Sequence, residues 1–456
     1  MGQRDAPHIR LTWLAVYFGT GACALLAGIG ADARWLAALG REIVERGGIP
    51  HGVPYAAAPS VEWVNVPVLG ELIFHALQSL GGDRGLVLAQ VVASSAALIL
   101  LAVDMRARRV PDAAGALVIL AVFFAAAPAL IIARAQMFSL VLFCATLLLL
   151  RSETRAPSWR IWLLVPLVAL WANLHGAVLV GLAVAGAYLV LERVRQQPFV
   201  ALGVWTASVC ALLLTPAFLD SGDYYLGVLR SEAAVRGEGM WAPLSPHSPF
   251  DVLFVAMAIP LVAFALRSGM RLWELACLAA FATMTMHAGR NSVWLILLVA
   301  APAAAGLGRT RVAGFSLAPK REFIVGVVPA ALFVAGILHA PPQDGASARV
   351  REQAAVLAAG TPILADGLDA ERLALDGQRV WIANPLDAFA ARDQRLYLDW
   401  ISARPQGDTL LREAGRVVLV TRGSASQRRL ARDPGFRRVA RDEQAVVYLR
   451  LKPTRT

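Results

Sequence analysis

Long apolar segments recur along this chain and constrain its fold more than any other feature. The first of them, residues 11–30, is twenty residues long, which is the length an α-helix needs to cross the hydrocarbon layer of a membrane. Of all residues, 57% are hydrophobic and 16% are charged, whereas about 25% are charged in an ordinary soluble domain. A soluble globule cannot bury so much apolar surface. The sequence therefore predicts an all-α membrane protein that crosses the bilayer several times.

The apolar segments predict about eleven transmembrane helices. They lie at residues 11–30, 85–104, 113–132, 137–150, 161–173, 176–192, 200–217, 250–266, 272–286, 291–307 and 323–339. We expect the first to be retained as a helix, because it is longer than the core of a signal peptide. The small-x-small sequence that ends at Ala33 leaves cleavage there as an alternative.

Basic residues cluster in alternate connections between these helices. The clusters are Arg106/Arg108/Arg109, Arg151/Arg155/Arg160, Arg193/Arg195, Arg267/Arg271 and Arg309/Arg311/Lys320/Arg321, with Arg4 and Arg10 before the first helix. Basic connections stay on the cytoplasmic side, so we expect a cytoplasmic N-terminus and a bacterial inner-membrane location. An odd number of spans then places the C-terminal region in the periplasm. This distribution explains the excess of 43 basic over 32 acidic residues, and nucleic acid is not expected as a partner.

Two outer connections and the C-terminal region are long enough to form structure of their own. In the first connection, residues 31–84, the stretches 33–46 and 69–80 are amphipathic and predict helices that lie in the membrane interface. The second, residues 218–249, is rich in Gly, Pro and Ser and predicts little regular structure. We place a domain boundary after residue 340 and expect 341–456 to be a small mixed α/β domain. Its β-prone runs are Pro362–Ala365, Arg379–Ala383, Val417–Val420 and Ala445–Leu449, and its helical patterns are Ser347–Ala358 and Ser424–Ala431.

The cysteines and histidines do not predict a metal site or a disulfide. Each of the four cysteines lies in an apolar run, and none forms a CxxC pair; they are Cys23, Cys144, Cys210 and Cys277. We interpret them as small core residues. No HxxxH or HExxH pattern occurs, so a divalent metal is unsupported. The absence of a P-loop and of a GxGxxG before a helix likewise leaves nucleotide binding unsupported.

Polar residues near membrane depth are costly and therefore mark candidate functional sites. Those expected at the outer ends of the helices are Asp32, Glu71, Arg134, Gln136, Asn173, His175, Trp241, Arg290 and Asn291. Arg134 and Arg290 are the basic residues of the short outer turns and break the charge pattern. They are candidates to bind a phosphate in bidentate fashion, and the alternative is that each side chain extends to the interface.

The remaining candidates keep two interpretations each. Asp32 is a candidate general base, or else a solvated carboxylate or the N-cap of the stretch that starts at Ala33. Glu71 is a candidate second acidic group, or a residue of a polar helix face. His175 is a candidate to donate a hydrogen bond to a phosphate or, with less support, to ligate a metal. Trp241 is a candidate acceptor contact, because it lies away from the helix ends where interfacial tryptophans collect.

Four segments together resemble bacterial members of the GT-C superfamily, the polytopic glycosyltransferases that include protein-mannosyltransferase-like enzymes. They are Asp32-Ala-Arg-Trp-Leu-Ala-Ala-Leu-Gly-Arg with Gly48-Ile-Pro, Arg134-Ala-Gln-Met-Phe-Ser, Leu170-Trp-Ala-Asn-Leu-His-Gly and His287-Ala-Gly-Arg-Asn. The resemblance implies inverting transfer of a sugar from a polyprenyl-phosphate-linked donor on the outer face, with Asp32 as base. It also implies that Arg134, His175 and Arg290 hold the donor phosphate.

The chain departs from that family at two positions. Relatives often carry a second Asp soon after the Ile-Pro, and here Pro50 is followed by His-Gly-Val-Pro-Tyr. They also often carry Glu-Trp-Leu after the next tryptophan, and here Trp63 is followed by Val-Asn-Val-Pro. An inactive membrane scaffold or lipid-binding subunit is therefore an alternative function. A transporter is less favoured, because the two halves show no inverted repeat. The predicted partners are membrane lipid, the lipid-linked sugar, a periplasmic acceptor (glycan, lipid or protein) and envelope-assembly proteins.

Overall fold

A computed structural model describes residues 11–310, 319–338, 345–382 and 384–451. The helices up to Arg236 are α1 (Leu11–Leu26), α2 (Ala33–Arg46), α3 (Val68–Ala107), α4 (Asp112–Ala125), α5 (Ala127–Ile131), α6 (Gln136–Arg155), α7 (Leu164–Ala172), α8 (Val178–Leu191), α9 (Pro198–Ala211), α10 (Ser221–Arg230) and α11 (Glu232–Arg236). Those that follow are α12 (Pro249–Arg267), α13 (Leu272–His287), α14 (Ser292–Leu307), α15 (Pro319–Leu338), α16 (Ala348–Ala358), α17 (Gly367–Leu375), α18 (Ala391–Ile401), α19 (Asp408–Glu413) and α20 (Ala425–Leu430). The strands are β1 (Gly28–Ile29), β2 (Ile132–Ala133), β3 (Ile363–Ala365), β4 (Val417–Thr421), β5 (Phe436–Arg441) and β6 (Ala445–Arg450).

The described residues form two compact units. Unit 1 comprises those of Met1–Gly28, Asp83–Leu214 and Gly239–Pro341, and unit 2 those of Ile29–Gly82, Thr215–Glu238 and Pro342–Thr456. Three of the predicted cytoplasmic charges lie outside the described residues, namely Arg4, Arg10 and Arg311. The predicted domain boundary after residue 340 also lies outside them.

The helices include segments suited to crossing a membrane. Four described helices are long and apolar enough to do so, at Val68–Ala107, Gln136–Arg155, Pro249–Arg267 and Gly289–Leu307. Shorter apolar helices lie at Leu11–Leu26, Asp112–Ala125, Trp159–Ala172, Pro198–Ala211 and Val327–Gly336. The chain is a mostly helical membrane protein, as predicted. The number of eleven spans and their orientation stay predictions.

Helix α3 contains two segments that were predicted to be separate helices. The predicted interfacial stretch 69–80 and the predicted span 85–104 run together in this element of 40 residues. At Gly82 the backbone leaves helical geometry, with φ 57° and ψ −146°. Glycine adopts positive φ readily because it has no Cβ, so the chain changes direction at this residue.

Helix α14 forms the centre of unit 1. Nearly all of its residues are buried, from Val293 to Leu307, and α4, α12 and α13 pack against it. At Gly306 a Cβ atom would lie 1.8 Å from the carbonyl oxygen of Phe264. This small residue therefore lets the backbones of α12 and α14 approach closely, which is a common device in membrane helix packing.

A buried ionic network ties helices of unit 1 together at the end of α6. Arg151 was predicted in a basic connection, but α6 continues through it and its side chain is buried. Its guanidinium donates to Asp104 Oδ2 at 2.7 Å, to Glu274 Oε1 at 2.9 Å and to the carbonyl oxygen of Leu298 at 2.6 Å. Arg108 Nη2 also donates to Glu274 Oε1, at 3.0 Å. The buried charges are thus matched by opposite charges and by hydrogen bonds.

Unit 2 contains a four-stranded mixed sheet in the order β3-β4-β6-β5, with β3 and β4 parallel and the other neighbours antiparallel. The predicted runs at 362–365, 417–420 and 445–449 are strands, and the two predicted helical patterns are α16 and α20. The run at 379–383 makes only isolated bridges at Val380 among the residues described. Strand β5 was not predicted, because its polar residues do not alternate clearly; its burial pattern shows a half-exposed edge strand.

The first outer connection contributes to the core of unit 2. Trp35 and Leu39 of α2 are buried in that core. Tyr55 accepts a hydrogen bond at its carbonyl oxygen from the backbone N–H of Val380, at 2.9 Å. Arg41 donates to Tyr55 Oη and to the carbonyl oxygen of Leu375, both at 2.7 Å, and so links α2 to α17. The apolar face of the stretch predicted to lie in the membrane interface is therefore used for protein packing.

The second outer connection is more regular than predicted. It contains α10 and α11, separated by Ser231. The hydroxyl of Ser231 caps α11 by accepting from the backbone N–H of Ala234 at 3.3 Å, and Tyr225 of α10 is buried. The prediction of little regular structure was wrong, because Ser231 and Gly237 cap the two ends of α11, and Gly222 and Gly227 lie within α10.

Candidate functional site

The first group of candidates lies in unit 1, and we name it the arginine–histidine cluster: Arg134, His175, Trp241 and Arg290. Arg134 lies two residues before the start of α6, and Arg290 lies in the 3-10 turn Gly289–Asn291. The guanidinium carbon of Arg290 lies 4.6 Å from the centroid of the Trp241 ring, in a cation–π contact. Arg134 Nη1 lies 3.4 Å from Sδ of Met240, the residue before Trp241. Arg134 and Arg290 are far apart in the sequence, but both contact the 3-10 turn Gly239–Trp241.

His175 is held by hydrogen bonds that define its tautomer. Its Nδ1 atom lies 2.7 Å from Ser139 Oγ and accepts from the backbone N–H of Ala177 at 3.4 Å. Trp171 Nε1 donates to Ser139 Oγ at 2.6 Å, which leaves the hydroxyl hydrogen of Ser139 available for His175. Since Nδ1 accepts from two groups, the ring hydrogen of a neutral imidazole belongs on Nε2.

The protonation state of His175 follows from its surroundings. Loss of hydration, and then the positive charge of Arg290, lower the pKa of His175 to about 3. The imidazole is therefore neutral at pH 7 and offers Nε2–H as a hydrogen-bond donor. Two guanidinium groups and a neutral N–H donor are suited to binding a phosphate, because arginine matches phosphate oxygens in geometry and charge.

The predicted amide ligands of this group have structural partners. Asn173 Nδ2 donates to the carbonyl oxygens of Ala169, at 2.9 Å, and Leu214, at 2.7 Å. Asn291 Nδ2 donates to the carbonyl oxygen of Met284 at 3.1 Å. Both amides thus stabilise backbone at helix ends. Gln136 is the half-buried first residue of α6.

The second group lies in unit 2, and we name it the carboxylate cluster: Asp32, Glu71, Glu371 and Asp387. Asp32 directly precedes α2 with φ 80° and ψ −30°, and its side chain does not cap the helix. The N-cap interpretation of Asp32 was therefore wrong. Positive φ is uncommon outside glycine, and Asp tolerates it better than most residues. The carboxylate is half-buried.

Glu371 of α17 binds the backbone of Asp32. Its Oε1 accepts from the Asp32 N–H at 2.9 Å and from Asn384 Nδ2 at 2.7 Å. Glu371 is fully buried. Loss of hydration, and then the negative charge of Asp32, raise the pKa of Glu371.

Asp387 and Glu71, and the neighbouring Tyr224, are also shielded from water. Loss of hydration, with a smaller contribution from the charge of Asp32, raises the pKa of Asp387 to about 6. Loss of hydration, and next the charge of Asp387, raise the pKa of Tyr224 well above its usual value. Glu71 is fully buried and its Oε2 accepts from Asn65 Nδ2 at 2.6 Å. Its interpretation as a residue of a polar helix face was therefore wrong.

Several residues in or beside the two clusters were not predicted from the sequence, namely Ser139, Tyr224, Glu371, Asn384 and Asp387. Ser139 belongs to the segment that begins at Arg134, but no role was predicted for it. The others lie in regions without a motif, and Glu371 is 339 residues from Asp32 along the chain. Among the described residues, no group of three or more His, Cys, Asp or Glu is arranged to hold a metal ion.

No protein-family model and no curated protein matches the sequence. ArnT from Cupriavidus metallidurans bound to undecaprenyl phosphate is similar in structure, with a TM-score of 0.53 and 14% identity over 97% of this chain and 98% of that chain. The same protein in the apo state gives a TM-score of 0.50 and 14% identity over 96% of both chains. The chain has the GT-C fold.

A second GT-C structure supports this assignment. Arabinofuranosyltransferase AftD from Mycobacteria, in a variant form, gives a TM-score of 0.53 and 14% identity over 98% of this chain and 42% of that chain. The GT-C resemblance drawn from the four sequence segments is confirmed at the level of the fold. A shared fold does not by itself determine a reaction, so the function depends on the chemistry of the two clusters.

Proposed function

We propose that this chain is an inverting glycosyltransferase of the bacterial inner membrane that moves a sugar from a polyprenyl-phosphate-linked donor to a periplasmic acceptor. The observation that carries the proposal is the approach of Arg134 and Arg290 to one turn, with a neutral His175 near Arg290. These groups suit a phosphate, and ArnT, which has the same fold, binds undecaprenyl phosphate.

The reaction needs a base and a stabilised leaving group. The acceptor hydroxyl oxygen attacks the anomeric carbon of the donor sugar, and the bond from that carbon to the phosphate oxygen breaks. Asp32 takes the proton of the acceptor hydroxyl. The electron pair of the broken bond stays on the polyprenyl phosphate, whose charge the arginine–histidine cluster stabilises. Attack opposite the leaving group inverts the anomeric configuration.

The division of roles follows from the charge of each cluster. The arginine–histidine cluster offers cations and a neutral donor, which favour an anion. The carboxylate cluster offers Asp32, which is half-buried and held at its backbone. Glu71 and Trp241 are proposed to contact the acceptor or donor sugar, and Gln136 to support the phosphate site.

The test is a transfer assay with the purified chain in lipid nanodiscs. A panel of undecaprenyl-phosphate-linked pentoses and hexoses is incubated with lipid and glycan fractions of the cell envelope, and released undecaprenyl phosphate is measured. Asp32→Asn should lower turnover at least about 100-fold, the usual minimum for loss of a general base, and leave donor binding unchanged. Asp223→Asn is the matched control, because Asp223 is exposed on α10 of the same unit.

The alternatives give different results in the same assay. Wild-type turnover in Asp32→Asn would remove Asp32 from the mechanism. Donor binding without turnover across the whole panel would support the lipid-binding scaffold. Donor flux across proteoliposomes without sugar transfer would support a transporter.

A further inference from the structure

The strained backbone at Asp32 is held in place by a residue from the far end of the chain. A non-glycine residue at φ 80° is strained, and such a conformation persists only where surrounding contacts require it. The contact observed here is the hydrogen bond from the Asp32 N–H to Glu371 Oε1, at 2.9 Å.

Glu371 is itself fixed by its environment within unit 2. It is fully buried, and Asn384 Nδ2 donates to the same oxygen at 2.7 Å. Helix α17, which carries Glu371, packs on α2. Its C-terminal carbonyl oxygens at Ala374 and Leu375 accept from Arg41 of α2, at 3.4 and 2.7 Å. The acceptor that meets the Asp32 N–H therefore has little freedom to move.

We infer that Glu371 is a positioning residue for the reaction and that it acts by holding the backbone of Asp32 in the conformation from which its carboxylate works. The inference rests on the proposed role of Asp32 as base. Glu371 Oε2 has no hydrogen-bond partner among the described residues, so Oε1 is the atom through which Glu371 acts. The C-terminal region would then take part in catalysis without contributing a group that touches the substrate.

The conservative variant separates acceptor geometry from charge. Glu371→Gln keeps an oxygen that accepts from Asp32 and from Asn384, and places its NH₂ where Oε2 has no described partner. Glu371→Ala removes the acceptor. Misplacing a reacting group by about 1 Å costs up to about 100-fold in rate. We expect Glu371→Ala to lower kcat about 30-fold with the donor KM unchanged, and Glu371→Gln to keep wild-type kcat.

The matched control is Asp369→Ala on the same helix. Asp369 is also buried, and its Oδ1 accepts from the Ala346 N–H at 2.7 Å, away from Asp32. We expect this variant to lower the thermal stability of unit 2 and to leave kcat per folded molecule unchanged. Equal loss of kcat in Asp369→Ala and Glu371→Ala would overturn the inference, as would equal loss in Glu371→Gln and Glu371→Ala.

A second measurement does not depend on activity. Amide hydrogen exchange at Asp32 should be slow in the wild type and in Glu371→Gln, and at least about tenfold faster in Glu371→Ala, because an amide exchanges after its hydrogen bond opens. Equal exchange in all three proteins would overturn the positioning role. If the wild type transfers no sugar but the exchange rates differ as expected, the proposed function fails while the backbone contact stands.

Discussion

The contact between Arg290 and Trp241 gives one arginine a fixed place above an aromatic ring, 4.6 Å from its centroid. Arg290→Ala should raise the donor KM about 30-fold, since a charge-assisted hydrogen bond to phosphate contributes about 2 kcal/mol. Arg290→Lys should recover only part of this loss, because an ammonium group lacks the planar, bidentate geometry of guanidinium. Donor titrations in the nanodisc assay measure both values.

The control for this prediction is Arg195→Ala. Arg195 is exposed and belongs to a basic connection, so its loss should leave the donor KM unchanged. An unchanged KM in Arg290→Ala would contradict a phosphate-binding role for the arginine–histidine cluster.

The protonation state of His175 leads to a prediction about pH. Its pKa in the folded protein is lowered to about 3, against about 6.5 in an unfolded chain. The folded state therefore binds fewer protons between these values, and stability falls as the pH drops from about 6.5 toward 3. His175→Gln should reduce this dependence, as measured by thermal unfolding between pH 4 and 7.

Donor affinity should respond differently to the same change. A phosphodiester donor does not titrate between pH 5 and 8, and His175 stays neutral over that range. Donor affinity should therefore be constant over that range. If affinity instead increases as the pH falls, with a midpoint near pH 6.5, and His175→Gln abolishes the increase, His175 binds the donor as a cation.

At the residue scale, sequence reasoning identified the arginine–histidine cluster and half of the carboxylate cluster. Arg134, His175 and Arg290 stood out because charged and polar groups are rare in apolar surroundings. Glu371 and Asp387 lie in a charged, soluble-type region, where a carboxylate carries no such signal. Their approach to Asp32 depends on contacts across more than three hundred residues, as the separation of 339 shows, and no local pattern encodes it.

At the scale of elements, the network of Arg151 is expected to stabilise unit 1. Arg151→Ala would leave Asp104 and Glu274 buried with fewer partners, and breaking a buried ion pair costs about 3–5 kcal/mol. The melting temperature in detergent should fall clearly. Arg155→Ala is the matched control: Arg155 is 40% exposed and 3.9 Å from Asp104, and such pairs contribute about 0–1 kcal/mol. Equal melting temperatures for the two variants would contradict the stabilising role of the network.

The element boundaries show which sequence signals were sufficient. Apolar runs and β-branched runs located α6, α12, β4 and β6, because burial sets their composition. Helices α10 and α11 were missed, since their Gly and Ser content resembled a loop. The strand β5 was missed because an edge strand needs no apolar alternation and often carries charge.

At the scale of the whole molecule, the chain passes repeatedly between two units. Unit 2 comprises the first outer connection, part of the second and the C-terminal region. Apolar residues of the first connection and of the C-terminal region share one core. These segments were predicted as separate regions, since shared burial between distant segments leaves no local sequence pattern. The proposed base belongs to unit 2 and the proposed phosphate site to unit 1.

The anomeric configuration of the transferred sugar shows whether the chain catalyses a single displacement. The chain in nanodiscs is given a donor of known configuration, and the product is analysed by nuclear magnetic resonance. The wild type should give an inverted product and Asp32→Asn none above background, because a single displacement needs the Asp32 carboxylate as base. A product with retained configuration, or the same inverted product at the same rate from Asp32→Asn, would contradict this mechanism.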